Sequence, residues 1–231
     1  MNPLIAAKAG IDAAMSDAQP DWAETTEQRV LDAALKIAPR EGWTSRMATM
    51  AGQACGLSAG ETELLLPQGP ADLAALLSRR HDSMALETLA ALDPAKLKIR
   101  ERIARGVEAR LAAAAKDEAA LRRCAGFLAL PSHLPLGARL AWASADVLWR
   151  WAGDTATDEN HYSKRALLAG ILTGALAVQL SSGREAALAF ADRRIANVMA
   201  FETWKRTTKL KPSAMLDSVA MALGRMRYGN R

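Results

Sequence analysis

Apolar residues recur at helical spacing in one segment after another, and glycine or proline closes most of the segments. In Glu24–Arg40 the set is Val30, Leu31, Ala34, Leu35 and Ala38, which falls on one face of a helix that Gly42 stops. Thr44–Ala54 reads as a short second helix ended by Gly56. Ser58 is placed to cap a third over Ala59–Leu66, closed by Pro67 and Gly69. Further helices are predicted over Ala71–Leu92, Lys96–Lys116, Glu118–Leu130, Pro135–Ala152, Glu159–Leu180 and Arg184–Thr207. The apolar half of the chain is rich in Ala, while Val, Ile and Thr are sparse, so a sheet has little to build from. The expected fold class is all-α: a bundle of about nine helices plus a C-terminal amphipathic helix.

The organisation expected is a leader over residues 1–23, a helix-turn-helix-like three-helix unit over 24–68, a helical bundle over 69–204, to which the resemblance given below assigns ligand binding and dimerisation, and a basic linker with an amphipathic, membrane-binding helix over 205–231. The leader has neither a continuous apolar core nor an Arg-rich, acid-poor bias, so it reads as no targeting signal. The longest apolar run, Ala166–Leu180, is shorter than the roughly 20 residues needed to cross a bilayer, so no membrane span is expected. Cys55 and Cys124 lack metal-ligand spacing and read as reduced thiols, which fits a cytoplasmic compartment. A net charge of +5 permits contact with anionic lipid or nucleic acid but demands neither.

Gly153–Arg165, GDTATDENHYSKR, is polar, tightly punctuated and set between a Trp-rich segment and the long apolar run. It reads as a helix-to-helix corner displayed on a surface. Asp154, Asp158 and Glu159 are explained by capping and by the positive end of the following helix. No paired Cys/His set points to a metal, no catalytic residues are assigned, and no cofactor is implied. Trp149 and Trp151, with Leu130, Leu134, Leu136, Leu140, Leu168 and Leu172, either line a cavity or fill a core; periodicity does not separate the two. Ala169, Gly170, Thr173, Gly174 and Ala177 form a side of small residues against which another helix can pack closely.

The last segment differs in kind. Lys205, Arg206, Lys209 and Lys211 precede Pro212, after which Met215, Leu216, Val219, Leu223 and Met226 recur on one helical side. A cationic linker before a Met/Leu/Val face is the pattern of an interfacial anchor, although the same face also suits packing onto the chain's own bundle.

TEQRVLDAALKIAPREGWTSRMATMAGQACGLSAG resembles the opening of TetR-type regulators. The segment in the recognition position, Ser58–Pro67, holds Glu61 and Glu63 and no Lys or Arg, so nucleic-acid binding is not expected. Farther on, LALPSHLPLGARLAWASADVLWRWAGDTATDENHYSKRALLAGILTGALAVQL, continuing to AFADRRIANV, resembles the Coq-nine family of ubiquinone-biosynthesis accessory proteins. The matching elements are Leu130-Pro131 with His133, Asp146 with Trp149, Ala152-Gly153-Asp154, Thr157-Asp158, Asn160, Tyr162, Arg165-Ala166 and Asp192-Arg193-Arg194.

The resemblance implies a TetR-like homodimer that holds an isoprenoid quinone or other lipid, engages the membrane surface and presents the lipid to a hydroxylase of the pathway without catalysis of its own. On that reading Leu130, Leu134, Leu140, Trp149, Leu168 and Leu172 touch lipid. Asp158, His161, Tyr162 and Arg165 form the partner-docking surface, with His161 standing where the family commonly has Trp. Met215, Leu216, Val219, Leu223 and Met226 enter the inner face of the membrane. The rival expectation is a ligand-responsive transcriptional repressor of the TetR type. An enzyme acting on quinone precursors would need a catalytic constellation that the sequence does not supply.

Overall fold

The structure is a computed structural model that describes residues 22–154 and 159–207. Nine α-helices and no strands occur among the described residues, in agreement with the all-α expectation. They are α1 (Trp22–Glu41), α2 (Ser45–Ala54), α3 (Ala59–Leu65), α4 (Pro70–Leu89), α5 (Ile99–Ala115), α6 (Glu118–Leu128), α7 (Leu134–Trp151), α8 (Glu159–Ser182) and α9 (Arg184–Thr207).

The ends follow local chemistry. Thr44 caps α2 by accepting from the Met47 N–H at 3.2 Å. Ser58 and Glu61 form a reciprocal capping box at the start of α3. Glu61 is therefore spent on its own helix, and the Ser58 hydrogen bonds hold its carboxyl below the usual range. Asp93 accepts from the Ala95 N–H at 3.0 Å and opens a single 3-10 turn, Pro94–Lys96. That turn lies between α4, which ends at Leu89, and α5, which begins at Ile99, later than periodicity alone suggests.

Two apolar clusters hold the helices together. The first joins Val30, Leu31 and Ala34 of α1 and Met47 and Ala51 of α2 to Leu73 and Leu77 of α4 and to Leu121 and Cys124 of α6. The three N-terminal helices therefore share their core with the bundle, and the buried Trp43 indole ties them to it by donating to the Pro70 carbonyl at 2.8 Å. The second cluster joins Ala85 and Leu89 of α4 to Val107 of α5, Leu148 of α7, Leu168 and Leu172 of α8, and Ala187 and Ile195 of α9.

Helix α8 outruns the apolar stretch seen in the sequence. Over His161–Ser182 it is long and apolar enough, by length and composition, to cross a membrane. In the fold it packs between α7 and α9. Its Gln179 donates to the Leu111 carbonyl at 3.1 Å, and its Arg165 is 2% exposed in ion pairs. One side of the helix is thus used inside the bundle, while Ala166, Leu167, Gly170, Thr173 and Ala177 stay exposed.

Helices α2 and α3 touch where a side chain is missing: a Cβ on Gly52 would lie 2.1 Å from Thr62 Oγ1. Gly60 has nothing within 4 Å of that position. Gly52→Ala should lower the unfolding free energy by about 1–3 kcal/mol, whereas Gly60→Ala should leave it unchanged or raise it by about 0.4–1 kcal/mol; urea denaturation of both variants measures the contrast.

Candidate functional site

Small side chains open the bundle. Ala125 of α6 and Ala129 just after it, Gly137, Ala138 and Ala141 of α7, and Ala169 and Gly170 of α8 face a common space that α4 backs. Its volume is about 880 Å³, within the roughly 300–1,000 Å³ of small-molecule sites. The wall is mostly apolar. It opens to the surface beside exposed Leu134, Ala166, Gly170 and Thr173.

The stripe of small residues on α8 does two jobs. A Cβ on Gly174 would lie 2.8 Å from the Phe190 ring, so that glycine admits α9. A Cβ on Gly170 would meet nothing within 4 Å, so that glycine borders empty space. The close helix approach expected of the whole stripe is realised at one point and replaced by the cavity at the other.

Of the residues expected to touch lipid, Leu134, Leu140 and Leu172 line this space. Leu168 is buried in the second apolar cluster, Leu130 sits exposed in the turn after α6, and Trp149 lies outside the lining. The indole that does line it is Trp142. Trp142 and Trp149 are seven residues apart and so share a helix face, but they are separated by about 10 Å along the axis. Between them α5 closes onto α7: a Cβ on Gly106 would already stand 3.4 Å from Leu148. Trp149 serves the corner instead, donating to the Lys164 carbonyl at 3.0 Å with Lys164 Nζ 5.3 Å from its ring.

Polar groups gather at the closed end. His81 of α4 and Ser144 of α7 are the last residues of their helices to reach the cavity, and Arg110 of α5 joins them. Asp82 fastens the group, accepting from Arg110 Nε at 2.6 Å and from Ser144 Oγ at 3.0 Å. His81 Nε2 lies 2.9 Å from Asp117 Oδ2, while its Nδ1 is buried with no hydrogen-bond partner. Burial and the Arg110 charge outweigh Asp117 and push the His81 pKa down to about 4, so the ring is neutral. Cys124, also on the wall, is pushed up to about 12 by burial and stays a thiol. These residues escaped the sequence reading. The signal for them was the spacing of Ala74, Leu77, Ser78 and His81, which is one face of α4.

The corner after α7 is built around Arg165. Its Nε meets Asp146 Oδ1 at 2.5 Å, and its Nη1 meets Asp154 Oδ2 at 3.0 Å and the His161 carbonyl at 3.2 Å. Lys164 Nζ adds a 2.6 Å bond to Asp154 Oδ1. Burial alone would raise the Asp154 pKa, but the hydrogen bonds from Lys164 and Arg165 prevail and hold it below the usual range. Asp154 is thus a counter-ion rather than a cap. Arg165, expected on the docking surface, is 2% exposed and does not offer its guanidinium to a partner: its two carboxylates draw it inside. Tyr162 is 64% exposed, its ring 5.2 Å from His161 and 6.2 Å from Trp142. The exposed phenol and the cavity wall are therefore neighbours. Asp158 lies outside the described residues, as do Met215, Leu216, Val219, Leu223 and Met226. Lys205 and Arg206, expected in a linker, continue α9.

An all-α bundle built around an apolar cavity is the class of protein that this fold and site define. Residues 134–202, which hold most of the cavity wall and the corner, match the COQ9 family model. The chain is 30% identical over 154 residues to the ubiquinone biosynthesis protein COQ9, mitochondrial, of Bos taurus, covering 64% of this chain and 48% of that one. It is 30% identical over 190 residues to COQ9-B of Xenopus laevis, covering 76% and 63%, and 28% identical over 154 residues to COQ9 of Homo sapiens, covering 64% and 48%. These matches place the likeness of this chain with the COQ9 family. It spans about half to three-fifths of the length of the curated relatives it matches.

Removing Arg165 leaves Asp146 and Asp154 short of a buried partner, so Arg165→Leu should cost about 3–5 kcal/mol. Tyr162→Ala should leave the melting temperature unchanged; a thermal-denaturation pair separates the structural residue from the surface one.

Because the His81 pKa is about 4 in the fold against 6.5 for the free side chain, the unfolded chain binds the proton more readily between those values. This contribution is intact above pH 6.5 and is lost as pH falls toward 4. Urea titrations across that window should show stability falling with pH, and His81→Phe should flatten the dependence.

Proposed function

We propose that the chain is a non-catalytic lipid-binding protein of ubiquinone biosynthesis. On this reading it holds an isoprenoid quinone intermediate in the cavity and presents it to a pathway hydroxylase at the membrane. The observation that carries the reading is the 880 Å³ apolar space, most of whose wall lies in the segment that matches the COQ9 family. A polyprenyl tail has no favourable place in water, and a greasy cleft between helices supplies one. The relatives' names supply the pathway and the compartment: each is called a ubiquinone biosynthesis protein and mitochondrial.

Tyr162, with His161, forms the docking surface for the hydroxylase. Its nearness to Trp142 supports this, because a partner seated there borders the cavity wall. An apolar anchor of this size can dominate an interface. Arg165 acts beneath that surface by fixing the start of α8. The face of Met215, Leu216, Val219, Leu223 and Met226 attaches the protein peripherally to the inner face of a membrane, supported by the cations that precede it. The family resemblance supports a homodimer through the last bundle helices. Against the repressor reading stands α3, whose exposed surface carries Glu61 and Glu63 and no cation.

The test is the cargo. Protein purified from a ubiquinone-producing host, extracted with organic solvent and analysed by mass spectrometry, should yield isoprenoid lipid. Gly170→Phe, which puts a ring into open space, should fold normally and yield at least several-fold less. Extracts of the unaltered protein that contain no apolar molecule would overturn the reading.

A further inference from the structure

The cavity has a chemical polarity of its own. Along most of its wall there is nothing to hydrogen-bond, whereas the closed end gathers His81, Ser78, Arg110 and Ser144. The geometry points to this end as a head-group site that selects the hydroxyl-bearing form of an isoprenoid quinone intermediate, a phenol or hydroquinone, over the oxidised quinone, whose head offers only acceptors. This rests on the cavity holding a lipid, and adds which end of the lipid goes where and what its head must carry.

The argument turns on one atom. His81 Nε2 faces an acceptor, Asp117 Oδ2, at 2.9 Å and so carries the ring's hydrogen. In the neutral ring Nδ1 is then a bare acceptor, and it has no partner. A buried acceptor without a donor is costly, and a ligand O–H that reaches it recovers that cost. A carbonyl or ether oxygen in the same place brings a second lone pair and recovers nothing. Donors stand on the same wall for the oxygen of that hydroxyl. Arg110 uses Nε on Asp82 and has further N–H groups, and Ser78 has its own hydroxyl. Asp82 is engaged by both Arg110 and Ser144, which keeps that carboxylate from repelling the incoming oxygen. The His81 ring has no open surface, so contact with it takes a small shift of the side chains beside it. The head enters first and the tail trails toward the mouth beside Leu134.

Titration of the full chain with para-dodecylphenol and with para-dodecylanisole, followed by tryptophan fluorescence, tests this. The two probes share a tail and a ring and differ in the hydroxyl hydrogen. The phenol should bind more tightly by roughly threefold to tenfold, the ratio that one net hydrogen bond gives. His81→Phe should bring the phenol's affinity down to that of the ether. Equal affinities in the unaltered protein would overturn the head-group site and leave the lipid cavity standing. Binding of neither probe would defeat the cavity reading and this one with it.

Discussion

The cavity exists because α7 and α8, joined at the corner by charge and below it through Leu148, Leu168 and Leu172, carry small side chains along the rest of their facing sides. Arg165, held by Asp146 of α7 and by Asp154 just beyond it, fixes the turn from one helix into the next. A buried ion pair of this kind adds little net stability compared with a hydrophobic contact, but it is intolerant of misplacement. Its geometry sets where α8 begins and hence which residues of α8 face α7. Along the cavity the facing sides carry Gly137, Ala138 and Ala141 of α7 and Ala169 and Gly170 of α8, too small to fill the space. A space of this size costs stability when empty, since its lining lacks contact partners. The same absence makes it receptive to an apolar guest.

Much of the helical layout was legible from the chain. Periodicity with Gly and Pro punctuation marked each helix, because a helix buries one face and glycine or proline closes most segments. The ends that moved did so for chemistry a periodicity argument ignores, as where Asp93 draws Pro94–Lys96 into a separate turn. The corner was legible as a corner but not in its interior. Arg165 reads as surface from its polar neighbours, and only the return of Asp146 from the preceding helix makes a buried place for it.

Depth along a helix axis is what the sequence could not provide. Trp142 and Trp149 occupy the same face, so no pattern distinguishes a wall residue from a clasp residue. The difference lies in what the other helices bring to each indole: α5 comes up against Leu148, beside Trp149, through Gly106, while Trp142 is left on the cavity wall. His81 was obscure for the same reason. A lone histidine has no meaning until Asp117, Arg110 and the cavity are brought to it from three other elements.

These placements make one mechanical unit of the segment shared with the COQ9 family. Trp142 stands on the cavity wall, and the ring of the exposed Tyr162 lies 6.2 Å from its own. Any protein that covers Tyr162 must border the opening, and any guest that fills the cavity must press on Trp142. A carrier of an insoluble molecule needs that arrangement, because release into water would forfeit what the cavity saves. Transfer is favourable only when the acceptor's surface replaces the carrier's before the tail is exposed. On the proposed reading, a docking residue next to the wall and a polar end deep inside would let the tail of a bound lipid leave first against an apolar partner, with the head held until last.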